Sequence, residues 1–105
     1  MLKVNSTLRA LNLGNNKIEV AGVTALAEAL SVNTTLETLN VWSNQLKPEG
    51  AKELIPIMKS NLTLRQLYIA GNALKEEGGN YIATGILYNR SLTDLDISFP
   101  FSLLA

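Results

Sequence analysis

One spacing constrains this chain more than any other feature: a block of apolar and asparagine residues returns every 28 residues. Leu8, Leu11 and Leu13, followed by Asn16 and Ile18, come back as Leu36, Leu39, Val41, Asn44 and Leu46. They return again as Leu64, Leu67, Ile69, Asn72 and Leu74, and Leu92, Leu95 and Ile97 open a fourth copy. The second half of each unit keeps the register, with Gly22, Gly50 and Gly78, then Leu26, Leu54 and Ile82, then Leu30, Met58 and Ile86. Asn33, Asn61 and Asn89 close the units, and Asn5 closes one more before them. A fixed period of this length marks a stack of like units, each burying its apolar faces only against its neighbours.

Each half of the unit has its own physical reading. In Leu11-Asn12-Leu13 apolar and polar residues alternate, so one face of a short strand is buried. From about Val20 to Val32 the apolar set falls at Val23, Leu26, Ala27 and Leu30, which is helical spacing. Strand and helix in alternation give a parallel sheet with helices on one side. Strands pack about 4.8 Å apart and helices about 10 Å, so the stack bends with the sheet inside the arc. Asn16, Asn44 and Asn72 stand where the chain leaves the strand, and a carboxamide there can both donate to and accept from the backbone of the turn. These three are expected to form a structural ladder.

The pattern LxxLxLxxNxI, followed by GxxxLAxxL and Asn, resembles the leucine-rich repeats of ribonuclease inhibitor, of NOD-like receptors and of Ran GTPase-activating protein. The resemblance runs from about Val4 to Ile97. It implies an α/β leucine-rich repeat solenoid, a short horseshoe arc with parallel strands on its concave face and helices on its convex face. It also implies a protein-binding role, usually through the concave side. The chain departs from ribonuclease inhibitor in having no Cys, and nothing in it maps onto a GTPase-activating site. The expected organisation is one domain over residues 1–105, with repeats at about 8–35, 36–63 and 64–91 and a partial fourth repeat with an irregular tail over 92–105.

Composition excludes several kinds of chemistry. Nine basic residues balance nine acidic ones, so clustered cationic charge for nucleic acid or an anionic membrane is not expected. The chain has no Cys and no His, which removes the thiolate nucleophile, the commonest general base and the commonest metal ligands. No cofactor, metal or catalytic residue is expected, and a cytoplasmic location is the default expectation.

The ends depart from the pattern. Pro100 stands in the Asn column and Ser102 in an apolar one, while Phe99, Phe101, Leu103 and Leu104 supply bulk out of register. Both ends are therefore expected to expose apolar surface. A piece of a longer protein, an improvised cap made by the tail, and self-association through the uncapped ends at the strand around Ala10 to Gly14 are three ways to meet that exposure. Pro56, inside the segment from Glu49 to Lys59, should kink or shorten the helix there.

Alternation assigns the concave columns as Ala10, Asn12 and Gly14, then Thr38, Asn40 and Trp42, then Gln66, Tyr68 and Ala70, then Asp94, Asp96 and Ser98. Trp42 and Tyr68 come from adjacent strands two residues apart, a diagonal of about 7–8 Å that aromatic side chains can span. They are the centre of the expected partner-binding surface, with Asn40 and Gln66 beside them. Against this stands the reading that the two rings merely cover each other. Arg9, Glu37 and Arg65 form a flanking column of alternating charge, read either as exposed pairing or as a rim that orients a partner. Asp94 and Asp96 point the same way and are counted with the expected partner-binding residues; two carboxylates without a third ligand make a poor metal site, and an edge strand carries charge to resist aggregation.

The four N-x-S/T sequons at Asn5, Asn33, Asn61 and Asn89 recur at the repeat period, and a left-handed helix cap would explain them without glycans. Gly78-Gly79 lacks the rest of a phosphate-binding motif and belongs to the glycine column. The expected function is therefore a protein–protein interaction module. A purely structural interior segment of a larger receptor or effector is the alternative, with regulation of a small GTPase more remote.

Overall fold

The structure, a computed structural model, describes residues 3–96. Ile97, Ser98, Pro100 and the bulky tail residues expected as a cap lie outside the described residues. Four strands, β1 (Ala10–Asn12), β2 (Thr38–Asn40), β3 (Gln66–Tyr68) and β4 (Asp94–Asp96), form one parallel sheet in the order β1-β2-β3-β4. Four helices complete the chain: α1 (Glu19–Leu30), α2 (Lys47–Glu53), α3 (Ile55–Ser60) and α4 (Lys75–Tyr88). The sheet register pairs Ala10 with Thr38, Thr38 with Gln66 and Gln66 with Asp94, so each strand meets the next one repeat later. This is an α/β leucine-rich repeat solenoid, with the strands on its concave face and the helices on its convex face.

The core lies between the two layers. Leu39, Val41, Leu67 and Ile69 turn inward from the strands and pack against Val23, Leu30, Leu54, Met58 and Ile82 from the helices. A space of only about 10 Å³ remains among Leu30, Leu54, Met58, Leu64 and Leu67, at the lower limit for one water. The glycine column is explained by helix packing. A Cβ on Gly50 would crowd Leu46 and Val23, and one on Gly78 would crowd Leu74 and Pro48. Pro56 acts as expected: the second convex helix breaks at Leu54, and Pro56 takes a first-turn position of α3, where its missing N–H costs nothing.

Two asparagine ladders run along the stack. In the first, Asn44 donates from Nδ2 to the carbonyls of Leu13, Val41 and Trp42, and its Oδ1 accepts from the Asn16 and Ile18 N–H groups. Asn72 repeats this one turn later, donating to Val41, Ile69 and Ala70 and accepting from Asn44 and Leu46. The structural reading of this column therefore stands.

The second ladder corrects an expectation. Asn61 and Asn89 end their helices in extended backbone, at φ −77° and −83°, and not in the left-handed region. Their Oδ1 atoms instead accept the N–H groups two and three residues on, Thr63 and Leu64 for Asn61, Ser91 and Leu92 for Asn89. Their Nδ2 atoms donate back to the preceding repeat, at Leu30 and Asn33 for Asn61 and at Met58 for Asn89. A side chain that closes its own turn and bonds to the repeat before it has no need of a positive φ.

Left-handed backbone appears elsewhere, after each strand. Asn15, Lys17 and Glu19 have φ near +60°, as do Ser43, Gln45 and Lys47 one repeat on, and Gly71, Ala73 and Lys75 one repeat further. Only Gly71 takes this conformation without steric cost. The strain is held by bonds to the next repeat, from Asn15 N–H to the Trp42 carbonyl and from Glu19 N–H to the Asn44 carbonyl.

Candidate functional site

The concave surface follows from strand alternation. Leu39 and Leu67 are buried, whereas Thr38, Asn40, Gln66 and Tyr68 between them are half-exposed. Trp42, just past β2, is 45% exposed. Asn40, Trp42, Tyr68, Ala70 and Asp96 line one open depression of about 310 Å³ on this face. Four of the expected site residues, Asn40, Trp42, Tyr68 and Asp96, thus share one recess.

The two rings line that recess from different sides. The indole of Trp42 lies over Gly14 of the preceding repeat, so closely that a Cβ on Gly14 would collide with Nε1, Cδ1 and Cε2. Tyr68 rises from the following repeat, in register with Asn40 and Asp96. Trp42 therefore leans toward the repeat that carries β1. The Trp42 N–H donates to Oδ1 of Asn40 at 3.0 Å, which fixes the backbone where the indole starts. Gly14 is the functional residue that alternation alone does not single out. Its signal is positional: it precedes Trp42 by one repeat in the same column, and only a residue without a side chain leaves room for an indole there.

Polar residues nearer the start of the strands are linked to one another. The Thr38 hydroxyl donates to the Gln66 carboxamide oxygen, and Gln66 Nε2 donates to Asp94 Oδ2 at 3.2 Å. Gln66 and Asp94 thus belong to a cross-strand hydrogen-bond chain and do not border the recess. In the flanking column, Arg9 and Glu37 form an exposed ion pair at 3.3 Å. Arg65 does not extend it: the ion pairs among the described residues are Arg9–Glu37 and Lys3–Glu28. Their exposure limits such pairs to roughly 0–1 kcal/mol. Among the described residues no three His, Cys, Asp or Glu side chains gather where they could hold a metal ion, and no helix is long and apolar enough to cross a membrane.

At the N-terminal end, Leu11, Leu13, Ile18, Leu26 and Ala29 line an apolar depression of about 350 Å³. These columns are the ones that repeat 2 buries as Leu39, Val41, Leu46, Leu54 and Ile57. The expected apolar exposure at this end is present.

A family model described as Leucine Rich repeat matches residues 4–27, 32–54 and 60–83. No curated protein matches the chain. Among solved structures, the Caenorhabditis elegans tropomodulin C-terminal domain is similar with a TM-score of 0.81 and 20% identity, over 91% of this chain and 59% of that one. Leiomodin-1 Actin-Binding Site 2 is similar with a TM-score of 0.76 and 24% identity, over 82% of this chain and 50% of that one. The chain thus spans between half and three-fifths of the length of these structures.

Proposed function

The chain belongs to the leucine-rich repeat family, and on that footing we propose that its concave sheet binds a partner protein, with Trp42 and Tyr68 at the centre. The observation that carries this reading is the indole of Trp42, held over Gly14 and left 45% exposed at the edge of an aromatic recess. Large rigid aromatic surface in a concave setting is the composition of interface hot spots. That the similar region of leiomodin-1 is an actin-binding site favours a protein as the partner class. The reading assigns no catalytic residue, no cofactor, no metal, no nucleic acid and no membrane to the chain. The unbroken 28-residue register with a helical segment in each complete repeat favours the ribonuclease-inhibitor-like subclass.

A cytoplasmic location fits the sequons. Asn33 and Asn61 are buried, and Asn61 and Asn89 commit their carboxamide nitrogens to the preceding repeat, so glycans at these positions would break the ladder.

The test is capture of partners from a lysate of the source organism by the chain and by its Trp42→Ala/Tyr68→Ala double variant, with circular dichroism to check that both are folded. A protein retained by the first and lost by the second supports the concave site; equal retention contradicts it. Self-association is a second reading, favoured by the open apolar end beside β1. Light scattering that finds a concentration-independent monomer would exclude it.

A further inference from the structure

We infer that the open end of the stack takes a second copy of this chain, through antiparallel pairing of β1 with the same strand of that copy in a closed two-fold dimer. This rests on the self-association reading above and says how the two copies meet. β1 ends the sheet, and among the described residues no strand lies beyond it. The Thr38 N–H donates to the Arg9 carbonyl and the Leu13 N–H to that of Asn40, so Arg9, Leu11 and Leu13 turn their backbone groups toward β2. Ala10 and Asn12 between them turn theirs to the open edge. Behind that edge, Leu11, Leu13, Ile18 and Leu26 of the apolar depression are half-buried, whereas Leu39, Val41, Leu46 and Leu54 one repeat on are covered.

An occupant of this end has to meet two demands at once. It must bring apolar side chains to the depression, and an extended backbone to the N–H and C=O groups of Ala10 and Asn12. A helix laid over the depression would cover those groups without bonding to them. β1 itself meets both demands. Turned about a two-fold axis through Leu11, Ala10 of one copy stands opposite Asn12 of the other, and the pairs exchange N–H···O=C bonds, about four in all. Leu11 then meets its own copy on the core side, in the closer, non-hydrogen-bonded kind of pair. On the convex side α1 meets α1, along a face whose Gly22, Ala25 and Ala29 are small enough for two helices to lie close.

Charge selects this edge of the sheet over the other. β1 reads Ala10-Leu11-Asn12 and carries no charge, whereas β4 reads Asp94-Leu95-Asp96. The same two-fold pairing of β4 would set Asp94 against Asp96 twice over, and like charges directly opposite are destabilising. One edge is thus protected against self-pairing by charge, and the other is not. A contact of β1 with its own copy also closes on itself, joining two four-stranded sheets into one and leaving β4 of each copy at the outer ends. Both concave faces then lie on one side of the joined sheet.

The test moves the charges of β4 onto β1. Ala10→Asp/Asn12→Asp changes two exposed side chains, keeps an oxygen to accept the Gly14 N–H, and reproduces a strand that the sheet already holds. Sedimentation equilibrium of the full chain is expected to show monomers and dimers in exchange, with a Kd of roughly micromolar order and nothing larger than a dimer. The Asp double variant should dimerise about tenfold more weakly or worse, with unchanged circular dichroism. Ala10→Lys/Asn12→Lys should be weakened likewise. An equal mixture of the two variants should recover the dimer, because Asp and Lys then stand opposite each other. An Asp variant that dimerises as tightly as before, a mixture no tighter than its parts, or assemblies that keep growing with concentration would overturn the β1 pairing and leave self-association to another face. A chain that stays monomeric at every concentration would sink both this inference and the self-association reading beneath it.

Discussion

The turn columns and the concave columns are both polar, and they use their polarity in opposite ways. Down the turn, the repeat places the same residue each time, Asn16, Asn44 and Asn72, or Asn33, Asn61 and Asn89. Asn44, Asn61 and Asn72 are buried and bonded to the backbone of the repeat before them. Along the concave face the residue changes at every step: Asn12, Asn40, Tyr68 and Asp96 in one column, Gly14, Trp42 and Ala70 in the next. These side chains are exposed or half-exposed. A column stays the same where each member must bond to its copy in the next repeat. It varies where the sheet beneath is already complete and the side chain faces outward. Stability and binding are thus written in different columns of one repeat.

Substitutions can break or sharpen that contrast. The largest effect is expected at Asn44→Ala. It removes five hydrogen bonds from a buried turn, three donated and two accepted, and leaves backbone groups of two repeats without partners. A loss of about 4 kcal/mol is expected in urea unfolding. Asn16→Ala, in the same column but exposed at the open end, should cost only about 1 kcal/mol. Equal losses would mean that the column stabilises through the turn's own geometry and not through the next repeat.

Gly14→Ala comes next. It should cost about 1–3 kcal/mol if the indole holds its place, since inserted bulk forces its neighbour off its rotamer. It should cost less if the ring swings into solvent, and a red-shifted Trp42 emission would report that movement. Smaller still is Trp42→Ala/Tyr68→Ala. Neither side chain is part of the core, so the double variant is expected to lose less than about 1.5 kcal/mol while losing the partner. Stability lost on the scale of Asn44→Ala would put both rings among the columns that build the fold. Arg9→Ala should be the least costly, within about 0.5 kcal/mol, because the Arg9–Glu37 pair lies in water.

The period made most of this architecture legible before any coordinates. Alternation in Leu11-Asn12-Leu13 assigned the faces of the sheet, and Pro56 announced the break between α2 and α3. The backbone of the turns was not legible. Lys17, Glu19, Ser43, Gln45, Lys47, Ala73 and Lys75 take positive φ, yet they are residues that ordinarily avoid it, and only Asn15 and Gly71 carry an expected marker. Bonds between repeats impose that conformation, and a single stretch of sequence does not display them. The same holds for Asn61 and Asn89, whose extended backbone depends on carbonyls one repeat away. At the site, alternation placed Trp42, Tyr68 and Asn40 on one face. It could not separate Asp96, which borders the recess, from Asp94, which is bonded to Gln66. That difference arises from position, since Asp94 starts β4 and Asp96 ends it.

The most direct test of the division between columns uses the single tryptophan. With Trp42 carried as 5-fluorotryptophan, its one fluorine signal relaxes faster in the presence of a soluble gadolinium chelate as long as the ring faces solvent. Binding of the captured partner should remove most of that paramagnetic effect, because the partner would cover the ring. An unchanged effect with the partner bound would put the interface elsewhere on the solenoid and contradict a binding role for the concave columns.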